Sequence, residues 1–369
     1  MKVEIITLHR ITNFGSMLQT YATQTAIERL GHEAEILDFV PEGMSFKRAN
    51  WPKSNTPVWK KLLKFLPLLA VNIVAFHDVS RFLHKYIHLS PKRYKCYIDI
   101  TSDLPEADFY LSGSDQVWNT QNNNSTETLK AYYLGFVPEG KKRIAYAGSF
   151  GKNTFTEEEE TIIKEYIVKY DFISVREDDG LNILRRFGIY NGVHVVDPTL
   201  LLRGDEWRKF ASVKKAPKPG YVFVYNLNRN GLIKDVAKTI AKEKGLRIIN
   251  FADTFDFILG AENRMGNTAE DFVNHIAYAD YVITDSFHGT ALSLNFNRQV
   301  IVVKAPRYNS RIESILRVAG LLDTRLVRTV EEGVRSLSTP INYQIVNSLI
   351  EEARKESYDH LRNALGCAK

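Results

Sequence analysis

The sequence predicts an α/β chain of two doubly wound, Rossmann-like domains. Short apolar runs alternate with stretches of helical periodicity, the pattern of a parallel sheet with crossover helices. The alternation lapses from Arg203 to Gly220 into charged, Pro/Gly-rich sequence (RGDEWRKFASVKKAPKPG) and then starts again. At 369 residues the chain also exceeds one ordinary domain.

In order, Val3–Thr7 reads as the first buried strand. Ser16–Leu30 follows as a helix, with Leu18, Tyr21, Ala22, Thr25, Ala26 and Leu30 on one stripe and Gly31 as its stop. Strands are expected at Glu35–Phe39, Phe109–Ser112 and Arg143–Ala147, and residues 41–108 carry little periodicity. Helix Thr156–Lys169, strand Phe172–Val175, helix Asp178–Phe187 and strand Val193–Val196 complete the first series. The second series runs strand Tyr221–Tyr225, helix Gly231–Lys244, strand Arg247–Phe251, helix Thr268–Ala277 and strand Tyr281–Thr284. It continues with helix Gly289–Phe296, strand Val300–Val303 and helix Asn309–Ala319. The expected division is residues 1–205, a connection at 206–220, residues 221–340, and a helix within 341–369 that can return to the first domain.

With 44% hydrophobic and 25% charged residues, the composition is globular and excludes wholesale disorder. The opening MKVEIITLHRI has no long apolar run or small-residue cleavage site, so a cytoplasmic location is expected. Cys96 and Cys367 lack zinc or redox spacing, and a disulfide framework is excluded. The net charge of +6 is local: Lys47 to Lys95 holds eleven Lys or Arg and one acid, Asp78, hence +10, leaving 6 − 10 = −4 elsewhere. Within it, Trp59 to Phe76 is interrupted by Lys64, Pro67 and Asn72 and falls short of the ~20 apolar residues of a bilayer span. Two readings remain for 59–95: contact with an anionic membrane surface, or a helix packed on the first domain. No nucleic-acid motif accompanies the charge, so nucleic acid is not an expected partner.

Four motifs stand where doubly wound sheets bind ligands, beyond the carboxyl ends of strands. Asp285-Ser286-Phe287-His288-Gly289-Thr290 follows an apolar run and opens a helix. There His288 can exchange a proton near neutral pH, and the Gly289 and Thr290 amides can meet an anion. The alternative is a satisfied buried turn. In Phe172–Glu177 an apolar strand stops at Arg176, suited to grip a carboxylate or phosphate, or simply to pair with Glu177. Ser112-Gly113-Ser114-Asp115-Gln116-Val117-Trp118-Asn119 mixes a tight turn with the hydrogen-bonding and stacking groups that a sugar needs. Asn13, Gly15 and Ser16 form the first strand-to-helix turn, without G-x-G-x-x-G or a P-loop lysine, which argues against a dinucleotide. Lys304, Arg307, Ser310 and Arg311 either complete an anion pocket opposite Arg176 or form a solvated loop.

Taken together and in this order, ITNFGSMLQTYATQTAIERLGHEAEILDF, FYLSGSDQVWN, KRIAYAGSFG, FISVRE, VVDPTLLL and ITDSFHGTALSLNFNRQVIVV resemble the polysaccharide pyruvyl transferases. The resemblance implies two domains facing a cleft, as in GT-B glycosyltransferases, and transfer of pyruvate from phosphoenolpyruvate to a sugar as a ketal. It implies that His288 acts as general acid or base. The donor side would comprise Arg176, Ser286, Phe287, Gly289, Thr290, Lys304 and Arg311. The acceptor side would comprise Asn13, Gly15, Ser112, Gly113, Ser114, Asp115, Gln116 and Trp118. Many members carry arginine where this chain has Ser286, so one donor contact is either missing or supplied elsewhere, by Arg311 or Lys304. No metal or organic cofactor is expected, and a lipid-linked oligosaccharide is the expected acceptor. A nucleotide-sugar glycosyltransferase, or a silent binding module on the same fold, remains the alternative.

Overall fold

The computed structural model describes residues 1–41, 58–119, 125–252, 256–305 and 309–367, with backbone alone for 58–68 and 70. Two compact units result: Met1–Leu201 with Lys355–Lys369, and Leu202–Arg354.

The first unit is built on β1 (Lys2–Ile6), β2 (Glu33–Phe39), β3 (Leu89–Tyr94), β4 (Phe109–Ser112), β5 (Lys142–Gly148), β6 (Phe172–Val175) and β7 (Val193–His194). They pair in parallel in the order β3-β2-β1-β4-β5-β6-β7. The chain turns one way from β1 to β2 and the other way to β4, so the carboxyl ends of β1 and β4 form the switch point at which such sheets bind ligands. Helix α1 (Phe14–Arg29) starts there because the Asn13 side chain accepts from the Gly15 and Ser16 amides. Beneath the loops, Trp118 lies 5.3 Å from and nearly parallel to Tyr133, within a core that also holds Tyr132 and Phe150.

The second unit carries β8 (Tyr221–Tyr225), β9 (Arg247–Phe251), β10 (Glu262–Arg264), β11 (Tyr281–Thr284), β12 (Gln299–Val303) and β13 (Leu326–Val327). Their parallel order is β10-β9-β8-β11-β12-β13, with its switch point between β8 and β11. Apolar runs such as YVFVY are wholly buried, as strands covered on both faces should be.

Three features depart from the sequence reading. The start of the expected 206–220 connection is not linker but part of a helix (Gly204–Ala211), because Trp207 and Phe210 bury one side while Asp205, Glu206, Arg208 and Lys209 follow the polar one. The unit boundary accordingly falls between Leu201 and Leu202. Strand β3, LSPKRY, escaped notice because Pro91 and two cations suit a sheet edge and break the apolar pattern. The basic segment holds α2 (Val58–Tyr86), in which Val79, Phe82 and Leu83 pack inward while Ile73 and Val74 are exposed. Lys47, Arg48 and Lys53 lie outside the described residues. Among the described residues no helix is long and apolar enough to cross a membrane.

Glu4, central in β1, is buried beside Glu35, and burial with that neighbouring charge pushes its pKa up to about 9 from 4.5. Between those values the folded chain keeps a proton that the unfolded chain has lost, so stability falls by about 1.4 kcal/mol per pH unit as pH rises. Glu4→Gln should flatten this slope and raise the urea midpoint at pH 8 but not at pH 4. Equal slopes for both proteins would refute the assignment.

Candidate functional site

In the first unit the predicted turn residues converge at the switch point. Gly113 brings the β4 exit against the β1 exit: a Cβ there would lie 3.0 Å from the Thr7 Cβ. Thr7 Oγ1 donates to the Ser114 carbonyl at 3.0 Å, and Ser112 Oγ to the Tyr132 carbonyl at 2.8 Å. Asp115 takes the left-handed conformation, φ 72°, uncommon outside glycine. It accepts from Ser16 Oγ, which ties the α1 turn to this loop, and from its neighbour's amide on Gln116.

Arg176 follows β6 and is fully buried. Its Nη1 donates to Asp197 at 3.0 Å, its Nη2 lies 3.6 Å from Asp115, and its Nε lies 3.9 Å from Glu177. Asp197 also accepts from Ser114 Oγ at 2.9 Å and from the Thr199 amide and hydroxyl. Burial alone would lower the Arg176 pKa, but the three carboxylates raise it above its usual value, and it stays charged. Its charge is met by Asp197, Asp115 and Glu177, the last being the pairing that the sequence left as the alternative to gripping the donor. Sequence reasoning missed Asp197, though its place just beyond a strand end was a signal.

Trp118 does not take the expected stacking role. It is fully buried, and a Cβ on Gly148 would come within 2.7 Å of its ring, so the indole fills core space and offers no stacking face to a sugar. Asn13 is a helix cap and Gly15 a buried part of the first turn. Of the acceptor group, Asn13 and Gln116 keep partial exposure, and Gln116 Oε1 accepts from Asn119 Nδ2 at 2.5 Å.

In the second unit the β11 exit and α11 (Phe287–Asn295) carry the other motif. Asp285 gathers the Leu227 and Asn228 amides, at 2.8 and 3.1 Å, and thereby joins the β8 and β11 exits across the switch point. Burial raises its pKa against the opposing effect of those bonds. Ser286 caps α11, accepting from the Gly289 amide at 3.3 Å, while the Thr290 amide bonds to the Ser286 carbonyl at 3.0 Å. The expected anion contacts of the Gly289 and Thr290 amides are thus spent inside the helix. Gly289 is needed for another reason, since a Cβ would sit 2.8 Å from Thr284 Oγ1.

His288 occupies the first turn of α11, 6% exposed, with its ring edge-on to Phe287 at 5.1 Å. Lys304, just past β12, is partly exposed, its Nζ 3.6 Å from Glu313. Ser310 opens helix α12 (Ser310–Val318), on which Arg311 is half-buried; Arg307 lies outside the described residues. An imidazole, a lysine and an arginine on consecutive strand exits can move a proton and hold an anion.

The profile of a family described as Polysaccharide pyruvyl transferase matches residues 13–304. No curated protein matches the chain. Among solved structures, UDP-GlcNAc 2-epimerase from Neisseria meningitidis bound to UDP-GlcNAc is similar, with a TM-score of 0.57 and 12% identity, over 98% of this chain and 100% of that one. The S. aureus MnaA-UDP co-structure gives 0.53 and 13%, over 100% and 97%. At such identities the likeness is one of fold, and it is the two-domain, GT-B-like α/β fold that the strand pattern predicts.

Proposed function

The chain belongs to the polysaccharide pyruvyl transferase family, and from that premise we propose that it moves the enolpyruvyl group of phosphoenolpyruvate onto two hydroxyls of one sugar in a surface-polysaccharide precursor. Family membership over residues 13–304 carries this reading. His288 protonates the methylene carbon, which becomes a methyl group and leaves an oxocarbenium centre at the adjacent carbon. One sugar hydroxyl adds there, phosphate departs with its bridging oxygen, and the second hydroxyl closes the cyclic ketal. Of the two hydroxyl protons, one balances the methyl group formed and the other leaves with phosphate. Lys304 and Arg311 are the proposed partners of the donor's carboxylate and phosphate, and Gln116, the partly exposed residue of the 112–119 loop, marks the proposed acceptor side. Arg176 serves as a positioning residue that holds Asp115 and Asp197. The reaction so written needs no metal or redox cofactor.

Loss of phosphoenolpyruvate with stoichiometric phosphate release, in the presence of a polysaccharide-precursor extract, tests the proposal. Release of a nucleoside diphosphate from a nucleotide sugar would replace it with glycosyl transfer. Ligand binding without either reaction would make the chain a binding module.

The proposal places the enzyme in the cytoplasm, on a lipid-linked acceptor, with α2 resting on the inner membrane face. Exposed Ile73 and Val74 on a helix within the +10 segment support it. Sedimentation with anionic vesicles should fall when Ile73 and Val74 are both changed to serine; unchanged sedimentation would remove the membrane from the proposal.

A further inference from the structure

The first sheet carries a second polar cluster, at the carboxyl ends of β1, β2 and β3, that the proposed reaction does not use. Asp38, near the end of β2, stands in register with Arg93 of β3. Three cation-forming side chains converge on its carboxylate. His9 Nε2 lies 3.0 Å from Oδ1. Arg10 reaches Oδ1 with Nε at 2.5 Å and Oδ2 with Nη2 at 2.8 Å, and Arg93 Nε donates to Oδ2 at 2.9 Å. Burial would raise the Asp38 pKa, but the bonds from His9, Arg10 and Arg93 outweigh it and hold the carboxyl well below its usual range.

Two guanidinium charges thus meet one carboxylate charge, a surplus of one before His9 is counted. Asp38 and His9 are buried, whereas the side chains of Arg10 and Arg93 are 18% and 53% exposed, so the anchor faces inward and the cations outward. Among the described residues, Nη1 of Arg10 and both Nη atoms of Arg93 make no hydrogen bond, which leaves donors for a ligand. Two forks arriving from different strand exits suit a group with three or more acceptor oxygens. A phosphate has them and a single carboxylate does not.

We infer that Arg10 and Arg93, set by Asp38, form a clamp for a phosphate or diphosphate ester carried by the sugar acceptor. The inference rests on the reading of the chain as a transferase to a sugar, and it names the charged end of that acceptor. A lipid carrier and a nucleotide both present such a group.

The test is calorimetric titration of the full chain with inorganic pyrophosphate, which requires no turnover and so stands apart from the outcome of the pyruvyl-transfer assay. The wild-type protein should bind it, and Arg93→Gln and Arg10→Gln should each weaken binding about tenfold or more. Arg93→Gln leaves Arg10 and His9 on Asp38, so its melting temperature should stay near that of the wild type. An isoprenyl diphosphate and a nucleoside diphosphate should displace pyrophosphate, and the one acting at lower concentration identifies the carrier. No binding by the wild type, unchanged affinity in both variants, or failure of both esters to compete would overturn the clamp. A parallel loss of phosphoenolpyruvate affinity in Arg93→Gln would assign it to the donor and equally overturn the inference.

Discussion

His288→Gln is expected to slow phosphate release from phosphoenolpyruvate by about 10²- to 10⁴-fold, the usual contribution of a positioned general acid. Glutamine retains a similar polar length but cannot deliver a proton to carbon. His288 stands on the first turn of α11, whose start is held by Ser286 and whose approach to β11 is set by Gly289, so the backbone has no need to move when the ring is replaced. Phosphoenolpyruvate binding, measured by calorimetry, should therefore change far less than turnover. Loss of binding and turnover together would make His288 a binding residue, and undiminished turnover would remove it from the mechanism.

Arg176→Met is expected to cost about 3–5 kcal/mol of folding stability, read from urea unfolding, because it leaves buried carboxylates without their counter-charge. Asp197 lies 3.0 Å and Asp115 3.6 Å from the guanidinium, with side chains 0% and 8% exposed, so both charges are left largely out of water. A donor-binding role predicts something else: near-normal stability with a raised KM for phosphoenolpyruvate. Arg176→Lys should fall between wild type and Arg176→Met in stability, since it restores charge without the fork that spans the carboxylates. If Arg176→Met unfolds at the wild-type urea concentration, the positioning role fails.

The strands that bear the two switch points were legible because buried parallel strands are written as apolar runs, YVFVY and YVIT among them, and end at polar residues. His288 and the Asp115 loop were found by that same ending. Their partners were not, because Asp115 and Asp197 reach Arg176 from strand exits distant in sequence, and a local pattern records residue type without saying what lies across a sheet. Trp118 misled for a related reason: an indole beside polar residues looks like a stacking platform until Gly148, on the next strand, is seen to make room for it. The Asp38 cluster was hidden for want of β3, whose proline and cations mark an edge strand as loop. Residues 206–211 are helix where a connection was expected because two aromatic residues one helical turn apart outweigh the charges around them.

The buried indoles have a practical consequence. The chain has four tryptophans, and of these Trp118 lies in the first unit and Trp207 in the second, both shielded from water. Changing Trp51 and Trp59 to phenylalanine would leave one fluorophore per unit. The red shift of each on exposure, isolated by removing the other, would then record whether the two units melt in one optical transition or in two.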